Sequence, residues 1–135
     1  MARMDRRAFD PSWSPECFAA ELTLDHSRSL VARIEEGEER RLAGYLVYHR
    51  VADEMHILRI AVSPRRRRRG LGLALLRCGM AAARTEGAAS AVLEVRPTNR
   101  SAHRLYERLG FLPAGRRTGY YAGTGEDALI WIANL

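Results

Sequence analysis

Residues 60–76 read IAVSPRRRRRGLGLALL: an apolar run ends at Ser63-Pro64, an arginine-filled turn follows, and two glycines one residue apart open a helical apolar pattern. A strand that feeds a glycine-bearing turn at a helix N-terminus leaves few folds open and makes a cradle for phosphate. The first turn of such a helix carries unpaired N–H groups and a partial positive charge, both of which attract an anion. Gly70 and Gly72 lack the Cβ atoms that would hold a ligand off the backbone. A nucleotide P-loop needs Gly-Lys-Ser/Thr, and the chain contains no lysine. The dinucleotide fingerprint needs a third glycine where this chain has Leu75. Two readings of the six residues from Arg67 to Gly72 remain: a phosphate cradle, or a helix start with a basic, solvated turn.

The rest of the chain supplies a mixed α/β order. Residues 1–9 have weak helical character that Asp10-Pro11 breaks. Ser14-Pro15 starts a second helix, with serine as the cap and proline at the first helical position. Trp13 and Phe9, beside the break, are candidate cover for a sheet. Residues 29–36, 41–50 and 55–62 read as three antiparallel strands joined by short turns. A helix from Gly70 to Thr85 closes at Gly87, and residues 88–95 make an apolar strand. Two strands joined through a helix should lie parallel. Asn99 caps a helix that Gly110 ends, residues 116–125 read as loop, and residues 128–132 are a last strand.

A length of 135 residues fits one domain, 1–135, with a sizeable core. The net charge of +6 comes from 22 basic residues, all arginine, against 16 acidic ones. That balance permits an acidic ligand or an RNA partner. The run from Arg65 to Arg69 has no interleaved aromatic residue for base stacking and abuts the glycine turn, so no direct nucleic-acid partner is expected. Cys17 and Cys78 lack metal-ligand spacing and no secretory leader precedes them, which points to reduced cysteines, a cytoplasmic setting and no metal. His26, His49, His56 and His103 have no ligand spacing and receive no role. No apolar segment is long enough to cross a membrane, so no membrane partner is expected.

Arg67-Arg68-Arg69-Gly70-Leu71-Gly72 resembles the R/Q-x-x-G-x-G/A signature of the GNAT acetyltransferases. LEVRPTNRSAHRLYERLGF, residues 93–111, resembles the second half of the GNAT core, most closely of the RimI type. RRTGYYAGTGEDALIW, residues 116–131, resembles the segment that ends RimI-like N-terminal acetyltransferases, and AFDPSWSPECFAAEL, residues 8–22, resembles their entry. Four motifs in the right order cover nearly the whole chain. The resemblance implies a GNAT fold: a mixed, mostly antiparallel central sheet with helices on both faces. It implies acetyl transfer from acetyl-CoA to a protein N-terminus, and names the alanine N-terminus of small-subunit ribosomal protein eighteen as acceptor. A different amine acceptor, or a non-catalytic CoA- or RNA-binding module, are the other readings. RimI-like proteins usually begin with a strand and most of a helix before the Ala8-Phe9 region, so the family's first strand is expected to be missing here.

Amide formation needs a group to take the amine's proton and another to protonate the leaving thiolate. Glu94 ends an apolar run, and partial burial is expected to raise its pKa toward neutrality. It is read as a base, or else as a strand-end carboxylate paired with Arg96 or Arg59. The resemblance assigns Glu94 the base role and Tyr106 the role of acid toward the CoA sulfur; otherwise Tyr106 is a core tyrosine beside Leu105 and Leu109. The resemblance also implies cofactor contacts from Ile60, Ala61 and Val62 to pantetheine, from residues Arg67, Arg68, Arg69, Gly70, Leu71, Gly72 and Leu73 to pyrophosphate, and from Asn99. Tyr120 and Tyr121 are read as a peptide-binding wall. Glu126 and Asp127 either attract a cationic amine or form a solvated turn.

Overall fold

A computed structural model of the chain describes residues 1–8, 12–121 and 123–135. Phe9 and the Asp10-Pro11 break lie outside the described residues. Two short helices, α1 (Ala2–Ala8) and α2 (Pro15–Leu22), precede strands β1 (Ser27–Glu36), β2 (Glu39–Val51) and β3 (Glu54–Val62). A 3-10 turn at Pro64–Arg66 leads into α3 (Leu71–Thr85), then β4 (Ser90–Val95), α4 (Arg100–Arg108), β5 (Leu112–Tyr121) and β6 (Glu126–Asn134). The six strands form one sheet in the order β1-β2-β3-β4-β6-β5. Every neighbouring pair is antiparallel except β3 and β4, the two strands joined through α3.

Local chemistry sets the ends of these elements. The Ser14 hydroxyl accepts from the Cys17 N–H with Pro15 as the first helical residue, so α2 starts where the sequence predicts. Asn99 Oδ1 accepts from the Ala102 N–H and starts α4. Gly70 stands before α3 at φ +79°, a left-handed conformation that strains any residue with a Cβ.

β2 is buried on both faces from Ala43 to Tyr48. Its alternate residues therefore feed two cores. Leu46 and Tyr48 join Met55, Ile57, Leu76 and Leu93 beneath α3 and α4, whereas Tyr45 and Val47 join Phe18, Ala61 and Trp13 beneath α1 and α2. Asp5 of α1 is completely buried and accepts hydrogen bonds from the Tyr45 hydroxyl and the Trp13 N–H, which ties the segment after α1 to the sheet.

One element departs from the sequence reading. Residues 116–121, expected as loop, continue β5 against β6 in the pairs Arg116↔Leu129, Arg117↔Ala128 and Tyr121↔Glu126. β5 lies at the sheet's edge and is exposed along almost its whole length. Backbone pairing holds it, so the sequence carries no apolar alternation there.

Candidate active site

The β3–β4 ladder is short. It pairs Glu54↔Ser90 through Ile57↔Leu93 and stops, although β3 runs on to Val62 and β4 to Val95. On its other side β3 stays paired with β2 as far as Val62↔Gly44. The register with β2 jumps from Tyr48↔Ile57 to Val47↔Arg59, leaving Leu58 unmatched. A bulge of this kind bends its strand, and it falls where β3 parts from β4. Beyond it, one backbone edge of residues 58–62, including Ile60, Ala61 and Val62, faces a wedge without a sheet partner. The far wall is the end of β4, where Glu94 and Val95 pair only with Ile130 and Leu129 of β6.

Glu94 is the first residue of β4 past the last shared pair. Ile57 and Leu93 point into the core under α3 and α4, so strand alternation turns His56 and Glu94 to the opposite face. There His56 Nε2 lies 2.8 Å from Glu94 Oε2, with side-chain exposures of 32% and 7%. Arg117 of β5 approaches the other oxygen of Glu94 at 3.5 Å. Burial pushes the Glu94 carboxyl up, but the His56 hydrogen bond and the charges of His56 and Arg117 outweigh it, and the net displacement is below the ordinary carboxylate value. The expected rise toward neutrality is therefore corrected: burial acts as anticipated, and two cations reverse its effect. His56 moves the other way, its hydrogen bond to Glu94 outweighing burial and raising it above the ordinary imidazole value.

Tyr106 lies across the sheet from this pair, in the core under α3 and α4 beside Phe111 and Trp131. Burial, helped by the nearby Tyr121, pushes its phenol well above the ordinary value, so the hydroxyl stays protonated. Among the described residues the hydroxyl has no hydrogen-bond partner. Tyr121 interacts electrostatically with both Tyr106 and Glu94. The Arg96 guanidinium stacks over its ring at 4.4 Å, and Tyr120 meets it edge-on at 5.0 Å. Tyr120 is 46% exposed.

The glycine turn also reaches the wedge. Arg67 Nε donates to the Val62 carbonyl at 3.2 Å and holds the turn against the end of β3. A Cβ on Gly72 would stand 3.3 Å from Leu105 and 3.8 Å from Val62, so this glycine lets the start of α3 close on α4 and β3. Gly70 has open space where a Cβ would be, and its need for glycine is conformational. Leu71 and Leu73 occupy the first turn of α3. Arg68 adopts φ +64°, a strained conformation of the sort that gathers at ligand sites. Arg67, Arg68 and Arg69 are exposed and make no ion pair with a carboxylate among the described residues. Asn99 keeps its amide nitrogen free of the cap, which uses Oδ1 alone.

The acidic pair after β5 divides. One Asp127 oxygen accepts from Arg116 and the other from the Gly119 N–H, both at 2.9 Å, so this carboxylate braces the β5–β6 hairpin. Glu126 Oε2 is buried without a hydrogen-bond partner. His56 and Arg117 are the site residues that sequence reasoning missed. The signal for His56 was its parity: it precedes the unmatched Leu58 by two residues and meets a residue 38 positions later only through the parallel register.

Comparisons with known proteins bear on the family and the fold. The family model described as "Acetyltransferase (GNAT) family" matches residues 1–111. The ribosomal protein bS18-alanine N-acetyltransferase of Escherichia coli (strain K12) is 34% identical over 129 residues, covering 94% of this chain and 84% of its own length. The crystal structure of the ribosomal-protein-S18-alanine N-acetyltransferase from Escherichia coli superposes with a TM-score of 0.82 at 33% identity, covering 98% of this chain and 84% of that one. The fold is shared with a chain of the NatC complex bound to Gag peptide and CoA, at a TM-score of 0.86 and 21% identity, covering 99% of this chain and 87% of that one.

Proposed function

From a chain that belongs to the GNAT acetyltransferase family, we propose that the acetyl group passes from acetyl-CoA to the α-amine of a protein N-terminus, with the N-terminal alanine of ribosomal protein bS18, named for its relatives, as the acceptor. One observation carries this reading: the sheet opens at Ile57↔Leu93, and the next residue of β4 is a buried carboxylate hydrogen-bonded to a histidine.

The residues present suit CoA. The unpaired edge of Ile60, Ala61 and Val62 offers backbone donors and acceptors to an extended amide-bearing chain such as pantetheine. The turn from Arg67 to Leu73 combines arginines without a carboxylate partner among the described residues, a left-handed glycine and the N–H groups of the first turn of α3, a combination suited to a pyrophosphate. The amide of Asn99 adds a donor at the start of α4. Acetyl-CoA supplies the activated thioester, and the chain supplies the proton traffic.

An α-amine is ordinarily protonated near pH 7, and attack requires the free base. His56 is placed to take the proton that the attacking amine nitrogen sheds as it bonds to the thioester carbon. Glu94 fixes the ring through Nε2 and stabilises the imidazolium that results. The two act as one base and titrate as a pair. Tyr106, protonated across the working pH range, donates to the departing sulfur from the other side of the wedge. Tyr120 and Tyr121 wall the acceptor groove, and the unpartnered Glu126 Oε2 is the acidic group beside them that remains available to an amine. No helix among the described residues is long and apolar enough to cross a membrane, and both cysteines are free and exposed, which suits a reducing, cytoplasmic setting.

The test is release of CoA with an alanine-initiated peptide, the same peptide with its α-amine blocked, and a blocked peptide that carries lysine. Turnover with the free α-amine alone is expected. Turnover with the blocked lysine peptide, or with small amines only, would replace the proposed acceptor.

A further inference from the structure

The layer formed by α3 and α4 carries five exposed arginines, Arg77 and Arg84 on α3 and Arg100, Arg104 and Arg108 on α4, none paired with a carboxylate among the described residues. The arginines that do pair, such as Arg28, Arg41 and Arg116, lie on or beside the strands. α3 has no acidic residue and α4 has one, Glu107, while Glu86 after α3 already engages Arg28 and Arg50. Arg100, Arg104 and Arg108 recur at the four-residue spacing that puts side chains in one row along a helix, about 12 Å from first to last. The same layer presents no large exposed hydrophobic residue: those exposed are Leu22, Leu24, Val31, Val51, Leu112, Tyr120 and Ile132, all outside both helices.

Against the expectation from the Arg65–Arg69 run of no direct nucleic-acid partner, we propose that the α3–α4 layer is a docking surface for helical RNA, which it grips through the phosphate backbone without reading sequence. Arginine presents a fork that binds phosphate oxygens in pairs. A single-stranded partner would call for exposed aromatic platforms, and a lipid surface for apolar side chains that enter the acyl boundary. The layer offers neither. Duplex RNA is held by phosphate and sugar contacts and needs neither. The surface lies on the opposite face of the sheet from His56 and Glu94, so it stands or falls apart from the choice of acceptor amine.

Fluorescence anisotropy with a labelled RNA duplex of about 20 base pairs, at saturating CoA so that the pyrophosphate turn is filled, reads the effect from about 50 to about 200 mM salt. The reference is the Arg100→Gln/Arg104→Gln/Arg108→Gln variant, with Arg77→Gln/Arg84→Gln as a second variant on the other helix. Loss of three phosphate contacts lowers the salt slope by roughly 2.7, so wild type should lose about 40-fold more affinity over that range than the triple variant. Peptide acetylation by both variants should match wild type, which also reports an intact fold. Unchanged slopes in both variants, or a wild type that ignores the duplex at low salt, would overturn the proposal. A wild type that bound phosphatidylserine vesicles but not RNA would overturn it in favour of a lipid surface.

Discussion

Replacement of His56 by glutamine tests the proton path most directly. Glutamine can still donate to Glu94, but it neither titrates nor takes a proton from an amine. In the wild type the 2.8 Å contact is a hydrogen bond to a charged group, of a kind worth about 1.5–3 kcal/mol. The other cation, Arg117, stands 3.5 Å from Glu94 and is 53% exposed; such a pair is worth about 0–1 kcal/mol. Glu94 therefore stays anchored in the variant, held mainly by the amide, while the acceptor of the proton is gone. General base catalysis contributes about 10²–10⁴-fold, so kcat/KM should fall by that factor on its alkaline plateau, about 2.7–5.5 kcal/mol of barrier. The sign of the pH dependence follows from the raised His56. Below its folded value the imidazolium cannot accept a proton, and the acceptor α-amine, with an ordinary value of about 7.7–8.0, is itself protonated. Two protons must leave in the wild type and one in the variant. The acid limb of log kcat/KM against pH should therefore approach a slope of about two in wild type and about one in the variant. A thiol-detected CoA release assay over that range reads both quantities. A variant within about threefold of wild type, with an unchanged limb, would refute the base role of His56. Stability carries the same linkage: the raised His56 stabilises the fold fully below about pH 6.5 and loses that contribution as pH rises through its folded value. The melting difference between the two proteins should thus shrink as pH rises through that folded value.

Three further outcomes follow from the geometry. Tyr106→Phe removes a hydroxyl without a hydrogen-bond partner, so its melting temperature should stay within about 2 °C of wild type while kcat falls about 10²-fold in single-turnover assays of thiol release. Gly70→Ala forces a Cβ into φ +79° and should cost about 1–2 kcal/mol, seen as a lower denaturant midpoint and a higher KM for acetyl-CoA than for peptide. Asp5→Ala strips a fully buried carboxylate from the Trp13 N–H and the Tyr45 hydroxyl; the unsatisfied donors should cost about 2–4 kcal/mol in urea unfolding, and a loss below about 0.5 kcal/mol would contradict the anchoring role.

Element order was legible because its punctuation is chemical and local. Ser14-Pro15, Asn99, Gly70 and Gly87 mark helix ends by hydrogen bonds or dihedral angles that depend on near neighbours. The glycine turn that opens α3 was legible because its glycines sit at fixed offsets in a short motif. What the residues did not disclose depends on register. The second half of β5 has arginine and glycine where a buried strand would alternate, and only β6 makes it a strand. The direction of the Glu94 shift hinges on His56 and Arg117, each brought in from another strand. Asp127 read equally well as a lure for an amine or as a solvated turn, and the hairpin that occupies both its oxygens exists only after β5 and β6 pair.

The early parting of β3 and β4 also bears on aggregation. A strand edge with unpaired N–H and C=O groups is a template for any other extended chain, and residues 58–62 present such an edge. It does not lie at the flank of the sheet. β4 bounds it on the far side and the strand ladders close below it at Ile57↔Leu93, so a foreign sheet has no room to approach. The true flanks are guarded differently: β1 carries Arg28, Arg33, Glu35 and Glu36, and β5 carries Arg116 and Arg117, charges that resist edge-to-edge stacking. The fold thus keeps an open hydrogen-bonding edge in its interior, where one narrow chain fits and a second protein's sheet does not.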